Sequence, residues 1–492
     1  MPRLVISPPS ARAVLALVLA SALPAAGCGH ARAGSRAGAA GGGEARAALP
    51  PVRAETVLDN GVHVVVEENH VAPLVAIQIW VAAGAADDPP ALAGAAHLYE
   101  HLVLRGGKRG VPGGGAREID AVRGTVGAWT GLDETVFHAV VAAPFFQLGL
   151  DVLADALANP SFDPAEVERA RKLALDEIAA SEADPRLRAN RALFASAFAG
   201  HGYARPVMGT AASVAALTPA ALAAHFADGY APGALTVVVV GDVDGNAVSA
   251  VARAFGAIAA RGSGARPADA ARGSIAGPSA RVTVTAGPGL PPEIILGFRT
   301  PALSARDAAA LDLLAALLAR GDGARLQRDV VRNRQLADGV RPFSFRSRDA
   351  GLVAFAITPA PRRIAQASEA VLDLVLRAAR EPATDDEIES ARAALESDLA
   401  RAGEGPLARA RRLGFAAAIA RDHEDGKRYL ETLRTIGAAE LQQFAVELLN
   451  TDHLTLAVAL PGGAAATRDE APGPLTQRLQ AMIAAAPALA ER

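Results

Sequence analysis

The 492-residue sequence predicts an α+β protein made of two tandem homologous domains. A chain of this length is too long for one ordinary hydrophobic core. Apolar residues make up 51% of the chain and aromatic residues only 4%, which favours helix-rich packing of Ala, Leu and Val over disorder. The two halves also present strand-forming and helix-forming segments in the same order, without the regular rhythm of a βαβ fold.

The repeated order begins with an apolar strand that leads through a loop into a helix. In the first half the strand spans 74–81 and the helix ends at Arg105; in the second half the strand spans 293–298 and the helix ends at Arg320. A long helix follows in each half, and each half finishes on another apolar strand. These later segments begin at Pro160 and Pro382 for the helices and span 235–241 and 454–461 for the strands. A duplicated domain is therefore the economical interpretation.

Two segments without hydrophobic periodicity set the domain boundaries. Residues 29–50 are rich in Gly, Ala and Arg and indicate a flexible tether, and residues 261–279 indicate a linker. The predicted N-terminal domain is 51–260 and the second domain is 280–470. The remaining residues, 471–492, are predicted to be a C-terminal tail.

The N-terminus has the layout of a secretory signal, predicted at 1–28. Arg3 and Arg12 precede an apolar stretch that is short for a membrane span. The signal closes on Cys28, the only cysteine in the chain, in a sequence that resembles a bacterial lipobox. We expect lipidation of Cys28, export to the periplasm and anchoring to the outer membrane; a simple signal peptide cleaved near Ala26 is the alternative.

The charge balance argues against one class of partner. The formal net charge is -3, and no run of Lys and Arg stands out. A nucleic-acid partner is therefore not expected, because a phosphate backbone requires a basic surface.

A candidate metal motif lies in the first half, in the segment that contains His97, Glu100 and His101. Histidines four residues apart lie on one face of a helix and can present two imidazoles to one metal ion. Glu100 is close enough on that face to bond a metal-bound water, in the inverted H-x-x-E-H order. The alternative, that these are ordinary helix residues, is disfavoured because the surrounding helix is apolar.

A third ligand is expected, since a catalytic zinc site has three protein ligands and one open position. The helix predicted from Pro164 to about Glu182 offers Glu177. The helix face that should turn inward combines small or apolar residues with this carboxylate: Ala170, Leu173, Ala174 and Glu177. Glu166 and Glu168 are the alternatives, but acids at a helix N-terminus are already explained by the helix dipole.

These motifs resemble the pitrilysin/insulinase metallopeptidase family. The resemblance covers about residues 55–462 and rests on the H-x-x-E-H motif, the helix around Glu177, and three further segments: 58–62, 124–130 and 240–243. It implies two tandem α/β-sandwich domains of the mitochondrial processing peptidase type, the second of them inactive. It also implies one Zn²⁺ per chain on His97, His101 and Glu177, with Glu100 as the general base.

The same resemblance implies how a peptide substrate is held. Gly127, Ala128 and Thr130 would lie on an edge strand to which the peptide adds, and Arg332 would help to hold its carbonyl. The chain departs from the family in three ways: Gly127 stands where Asn is usual, Ala170 where a second Glu is usual, and Asp338 where a Tyr follows the Arg.

The predicted function is a zinc-dependent endopeptidase that cleaves peptides or unfolded segments in the cell envelope. Because the Tyr is replaced, we expect a homologous partner chain that supplies an Arg/Tyr pair; a homodimer is the alternative. Two other functions stay open, a non-catalytic or weakly active structural subunit of the same family and a peptide-binding protein that retains zinc.

Overall fold

The computed structural model describes residues 52–107, 113–259, 272–277, 280–289, 291–402, 405–420, 426–462 and 471–490. The strands are β1 (Arg53–Val57), β2 (His63–Glu68), β3 (Leu74–Val81), β4 (Thr125–Thr130), β5 (Thr135–Ala142), β6 (Leu235–Gly241), β7 (Arg281–Gly287), β8 (Glu293–Pro301), β9 (Ala337–Phe345), β10 (Ala350–Pro359) and β11 (Leu454–Pro461). The helices are α1 (Ala95–Val103), α2 (Gly114–Ala121), α3 (Phe146–Ala158), α4 (Pro164–Ala183), α5 (Pro185–Ala197), α6 (Ala211–Ala216), α7 (Pro219–Gly229), α8 (Ala247–Phe255), α9 (Ala305–Ala319), α10 (Ile364–Ala378), α11 (Asp385–Ala402), α12 (Pro406–Gly414), α13 (Gly426–Thr435), α14 (Ala438–Leu448) and α15 (Pro472–Ala490). The segments Gln327–Asn333 and Phe415–Ala420 are π-helical.

Several predicted segments lie outside the described residues. They are the signal peptide with Cys28, the tether 29–50 and most of the linker 261–279. Within the described part of the chain, no helix is both long enough and apolar enough to cross a membrane.

The two sheets repeat one topology. The first has the strand order β1-β2-β6-β3-β5-β4 and the second has the order β7-β11-β8-β10-β9. When the edge strand β1 is set aside, each strand of the first sheet has a counterpart in the second. The parallel pair β2 and β6 corresponds to the parallel pair β7 and β11, and the other pairs are antiparallel. The prediction of two homologous α+β domains is confirmed.

Each sheet is covered by helices of its own half on one face. In the first half, buried residues of α1, α3 and α8 join those of the sheet in one hydrophobic core, and α9, α10 and α15 do the same in the second half. The central strand β3 is buried from Val75 to Val81 without alternation. A strand is buried continuously in this way when both faces of its sheet are covered.

The opposite face of each sheet is covered by a helix from the other half. Helix α12 packs on β3 and β6, where Ala410 and Leu413 are buried against Trp80 and Val238. Gly414 lies directly against the Trp80 indole, so that a Cβ at this position would overlap the ring. In return, α5 packs on β7, β8 and β11 of the second sheet. The helix that follows the long helix in each half therefore completes the core of the other half.

A buried ion cluster also joins the halves. Arg272, which is 2% exposed, contacts Asp87 at 2.8 Å, Asp133 at 2.9 Å and Asp349 at 2.5 Å. Asp87 and Asp133 belong to the first half, Asp349 belongs to the turn between β9 and β10, and Arg272 lies in the predicted linker. Tyr203 adds a hydrogen bond from its hydroxyl to Asp133. One guanidinium thus ties the connecting segment to both domains.

The last segment differs from the predicted tail at 471–492. Residues Pro472–Ala490 form α15, and Leu475, Leu479 and Ile483 are buried in the second core. These residues recur every four positions and therefore make a single apolar stripe along a helix. By its place after β11, α15 is the counterpart of α8 after β6, and it belongs to the second domain.

Candidate metal centre and cleft

Helix α1 is held at its N-terminus by a buried carboxylate. Asp88, 1% exposed, accepts hydrogen bonds from the backbone N–H groups of Gly94 and Ala96 at 3.0 and 3.2 Å. The ring of His225 contacts the same carboxylate at 3.1 Å. Gly94 begins the helix in the left-handed region, with φ of 96°, where glycine carries no steric penalty. These contacts fix the rotation of the helix that carries His97, Glu100 and His101.

The three predicted metal ligands converge on one point. Oε2 of Glu177 lies 3.2 Å from Nε2 of His97 and 3.4 Å from Nε2 of His101. One potential ligand atom from each of the three residues can be chosen so that all lie within 4.8 Å of one another. Helices α1 and α4 pack together, which brings Glu177 across from the two histidines. The structure therefore assembles the predicted set from residues far apart in sequence.

The polar atoms of this cluster fit a metal ion better than they fit each other. Nε2 of His101 and Oε2 of Glu177 are buried and have no hydrogen-bond partner among the described residues. Two imidazoles and one carboxylate are the ligand types that zinc takes in open catalytic sites. Nδ1 of His97 is also buried without a described partner, although metal-binding histidines usually donate this second N–H to an acceptor. The ligand set fits zinc, but no described residue accepts a hydrogen bond from Nδ1 of His97.

The electrostatic environment of Glu177 favours the ionised form of its carboxyl group. Burial by itself raises the pKa of this carboxyl, but the contacts with His101 and His97 outweigh burial and lower the pKa to about 2. Burial lowers the pKa of His101, and the neighbouring Glu177 carboxylate more than reverses that effect. The Glu177 carboxylate and the two imidazoles therefore stabilise one another when no metal is bound.

Glu100 has a different environment from Glu177. Burial raises the pKa of its carboxyl, while the positive charge of His97 and His101 and a hydrogen bond from Thr130 oppose that rise. The Thr130 hydroxyl donates to Oε2 of Glu100 at 3.1 Å. A carboxylate with a raised pKa that is aimed at a metal site suits proton transfer rather than metal binding. The environments of the four residues are therefore consistent with the predicted division into three ligands and one acid-base group.

Comparison with known proteins identifies the relatives of this site. Residues 63–211 match the family model described as Insulinase (Peptidase family M16), and residues 216–395 match the model described as Peptidase M16 inactive domain. A zinc protease of Streptomyces coelicolor is 30% identical over 343 residues, which cover 68% of this chain and 73% of the relative. The chain belongs to the insulinase peptidase family M16.

Other relatives of this M16 chain extend over most of its length. An uncharacterized zinc protease of Mycobacterium tuberculosis is 29% identical over 440 residues, covering 89% of this chain and 98% of the relative. The crystal structure of a protease from Helicobacter pylori superimposes with a TM-score of 0.77 at 19% identity and covers 84% of this chain and 100% of that one. The fold is thus that of two tandem M16 domains, and the chain is zinc-protease-like.

The metal-ligand cluster of the M16 chain opens into a cleft between the two halves. The cleft has a volume of about 1370 Å³ and is lined by residues of both sheets and of α4, α5, α9 and α12. His97, Glu100, His101 and Glu177 all line it, and so do Gly127, Ala128 and Thr130 of β4. Strand β4 is at the edge of its sheet, with one side free of β-pairing. An extended peptide in the cleft can pair with this edge.

Gly127 is required by its neighbour on β5. Gly127 and His138 are directly opposite in the register, and a Cβ on Gly127 would lie 2.9 Å from Cε1 of the imidazole. An Asn at this position, as the family resemblance suggested, is therefore incompatible with the His138 ring where it stands. The departure at Gly127 is coupled to a second residue that the sequence analysis did not identify.

The second half carries a degenerate copy of the metal site. Asp312 stands on α9 where His97 stands on α1, eight residues before the terminating Arg (320 - 312 and 105 - 97). By the same register Ala316 replaces His101, and Asp398 replaces Glu177, nine residues after a Glu (398 - 389 and 177 - 168). Asp312 binds Arg346 and the Tyr429 hydroxyl, each at 2.9 Å, and Asp398 is paired with Arg320. Ion pairs therefore occupy the place of the metal.

Arg332 is the one predicted substrate contact that the structure does not bring to the cleft. It lies in the π-helical segment Gln327–Asn333 and pairs with exposed Asp322 at 2.5 Å. Asp338 follows at the start of β9 and is exposed. In the described part of the chain, the Arg and Tyr side chains that do line the second wall include Arg346 and Tyr429, whose donors are engaged by Asp312.

Two residues that help to shape the site escaped the sequence analysis. Asp88 precedes the motif by only nine residues (97 - 88), but an Asp after a loop predicts a turn as readily as a helix anchor. Arg411 of α12 lies over the ring of Trp129 in β4, but it is more than 280 residues away in sequence and no local pattern connects the two. Both were out of reach because their roles depend on tertiary contacts.

Proposed function

We propose that this chain is a zinc-dependent endopeptidase that cleaves peptides or unfolded segments in the bacterial cell envelope. The observation that carries the proposal is that His97, His101 and Glu177 converge beside Glu100 in a cleft. The edge strand β4 lines the same cleft. Two relatives in family M16 are named as uncharacterized zinc proteases, and these names support the same class of reaction.

The chain's own residues account for binding and proton transfer. A peptide that pairs with β4 is held in extended form, which favours unfolded segments over folded proteins. Glu100 takes a proton from the attacking water and returns it to the leaving amine, and the Thr130 hydroxyl orients its carboxylate. Zinc, when bound by the three ligands, polarises the carbonyl and lowers the pKa of water.

The test separates metal binding from catalysis. Purified chain should contain one zinc, and Glu100→Gln should keep the metal while losing at least about a hundredfold in hydrolysis of an unstructured peptide. Glu177→Ala should lose the metal, whereas Glu168→Ala, on the exposed start of the same helix, should keep it. Full zinc occupancy in Glu177→Ala would show that the third ligand is wrong.

We also propose a heterodimer in which this chain is the zinc-bearing subunit. Arg332 lies away from the cleft, and Asp338 replaces a Tyr, so the described residues offer no complete Arg/Tyr clamp of the expected kind. An ionised carboxylate repels a developing oxyanion, whereas a phenol donates to it. Adding a homologous chain that lacks H-x-x-E-H but has the Arg/Tyr pair should raise the rate about a hundredfold or more. Vigorous activity of the isolated chain would refute this partner proposal.

The cellular location forms a separate proposal, a lipid anchor at Cys28 in the outer membrane. It rests on the signal layout and on Gly29, since an Asp after the cysteine would favour retention at the inner membrane. Cys28→Ser should release the chain into the soluble fraction. Mass spectrometry that found an unmodified mature N-terminus elsewhere would contradict the anchor.

A further inference from the structure

The wall of the cleft next to β4 carries an arginine from the other domain. Arg411 of α12 lies over the Trp129 ring, with its guanidinium carbon 5.0 Å from the ring centroid. Trp129 is part of β4, one residue before Thr130, which contacts the general base Glu100. The guanidinium therefore lies beside the strand that would receive a peptide.

Arg411 differs from the other cleft arginines because no described carboxylate or carbonyl accepts a hydrogen bond from its guanidinium. The others have partners: carboxylates for Arg191, Arg320, Arg346 and Arg348, and main-chain carbonyls for Arg205 and Arg412. For Arg411, the described residues provide the Trp129 ring and only the longer-range influence of Glu134. Desolvation, with the nearby Asp133 adding to it, raises the pKa of Glu134, and neither a hydrogen bond nor an ion pair joins Glu134 to Arg411 among the described residues.

The groups around Arg411 also lack an acceptor. Nε1 of Trp129 and Nδ1 of His138 are buried and have no partner among the described residues. Burial and the charge of Arg411 together lower the pKa of His138 to about 4, so that its ring is neutral at pH 7. The guanidinium of Arg411 therefore has donors available to an acceptor in the cleft, next to two buried polar atoms that lack a described partner.

The alternation of β4 determines which part of a substrate reaches Arg411. Val126, Ala128 and Thr130 face the helices that carry the metal ligands, because they pack on the first core or bond Glu100. Thr125, Gly127 and Trp129 face the opposite side, toward α12. A peptide added to β4 alternates in the same way, so every second side chain points away from the metal and toward Arg411. Gly127 leaves that face of the edge strand without a side chain of its own.

We propose that Arg411, stacked on Trp129, is a carboxylate-recognition residue that selects peptides with an Asp or Glu side chain at a fixed distance from the cleaved bond. This inference rests on the proposed peptidase function and adds a substrate class to it. A carboxylate of the peptide supplies the direct hydrogen-bond partner that the described residues do not, and a guanidinium can bind it in bidentate fashion.

Binding tests the inference without turnover. Zinc-loaded full chain carrying Glu100→Gln is titrated with a fluorescent, unstructured peptide that contains one central Glu, and with its Gln isostere. We expect the Glu peptide to bind about fivefold or more tightly. Adding Arg411→Met should abolish the difference and Arg411→Lys should retain part of it, because Lys keeps the charge without the planar fork. Arg412→Met, on the same helix and facing the same cleft, is the matched control and should keep the difference.

Cleavage by the active chain gives a second readout. Moving the Glu by two residues along the peptide should move the cleavage site by two residues. Equal affinity for the Glu and Gln peptides, or equal losses in Arg411→Met and Arg412→Met, would overturn the assignment while leaving the peptidase proposal intact. Failure of either peptide to bind or be cleaved would contradict the peptidase proposal itself.

Discussion

At the scale of single residues, Gly127 and His138 form a pair in which each limits the other. The space opposite Gly127 is filled by the imidazole, which is itself 5.4 Å from the Trp129 ring and has little room to turn. We predict that Gly127→Ala lowers the free energy of unfolding by about 1–3 kcal/mol through overpacking.

The prediction is checked by a double-mutant cycle with urea denaturation. In a His138→Ala background the same Gly127→Ala change should cost much less, because the colliding ring is absent. An identical cost in both backgrounds would show that the contact with His138 is not the reason for glycine at this position.

Single residues also show what could be predicted from sequence. The spacing of His97 and His101 is a local property of one helix, and it was sufficient to predict that the two imidazoles lie together. Leu173 was predicted to face inward with Ala170 and Ala174, but it is 46% exposed while the two alanines are buried. The inward face of α4 instead follows Val167, Ala170, Ala174 and Ile178. Which side of a helix is buried is decided by its neighbours, and the sequence of α4 alone does not specify them.

At the scale of one element, the start of β8 contains a buried acid with a pH-dependent role. Glu293 is 1% exposed, and burial raises its pKa to about 7 even though Arg341 lies 2.6 Å away. Arg341 is half exposed, so water screens its charge and the desolvation of Glu293 dominates. The folded state therefore holds a proton that the unfolded chain releases above pH 4.5.

This proton makes stability fall as the pH rises. The contribution of Glu293 is fully present below pH 4.5 and is lost as the pH passes through about 7, a change of about 3 kcal/mol. Glu293→Gln should remove that loss. The free energy of unfolding of the variant should therefore rise relative to that of the parent chain between pH 4.5 and 8. Glu447→Gln, on the exposed side of α14, controls for removal of one carboxylate. A gain of equal size and pH dependence in the control would contradict the role of Glu293.

The bounds of individual strands were predicted more accurately than the tertiary contacts of the elements. β3, β6 and β11 were identified at the bounds that the structure shows, because continuous apolar runs flanked by turns leave few alternatives. Helix α15 was missed although Leu475, Leu479 and Ile483 recur every four positions, because the segment follows the last recognised strand and is rich in Ala. Its burial depends on α10 and β7, which lie far away in sequence.

At the scale of the whole molecule, the cohesion of the two domains depends on Arg272. Removing its guanidinium leaves Asp87 and Asp133, each 2% exposed, without their main cation. We predict that Arg272→Met lowers the free energy of unfolding by about 3–5 kcal/mol. It should also expose the connecting segment to limited proteolysis.

The matched control is Arg306→Met, which breaks the exposed pair with Glu440 and should change the free energy of unfolding very little. A cost for Arg272→Met as small as that of the control would mean that Arg348 and Tyr203 neutralise the two aspartates without Arg272.

The exchange of α5 and α12 between the two sheets has a consequence for the origin of the chain. Two copies of an ancestral one-domain protein that traded this helix across a twofold axis would make the same contacts, each occurring twice. Such an ancestor would have had two identical sets of ligands facing one shared chamber. After fusion of such copies into a single polypeptide, the second set would no longer be needed to bind metal. Asp312, Ala316 and Asp398 can be understood as what accumulated there, while selection continued to act on the first set alone.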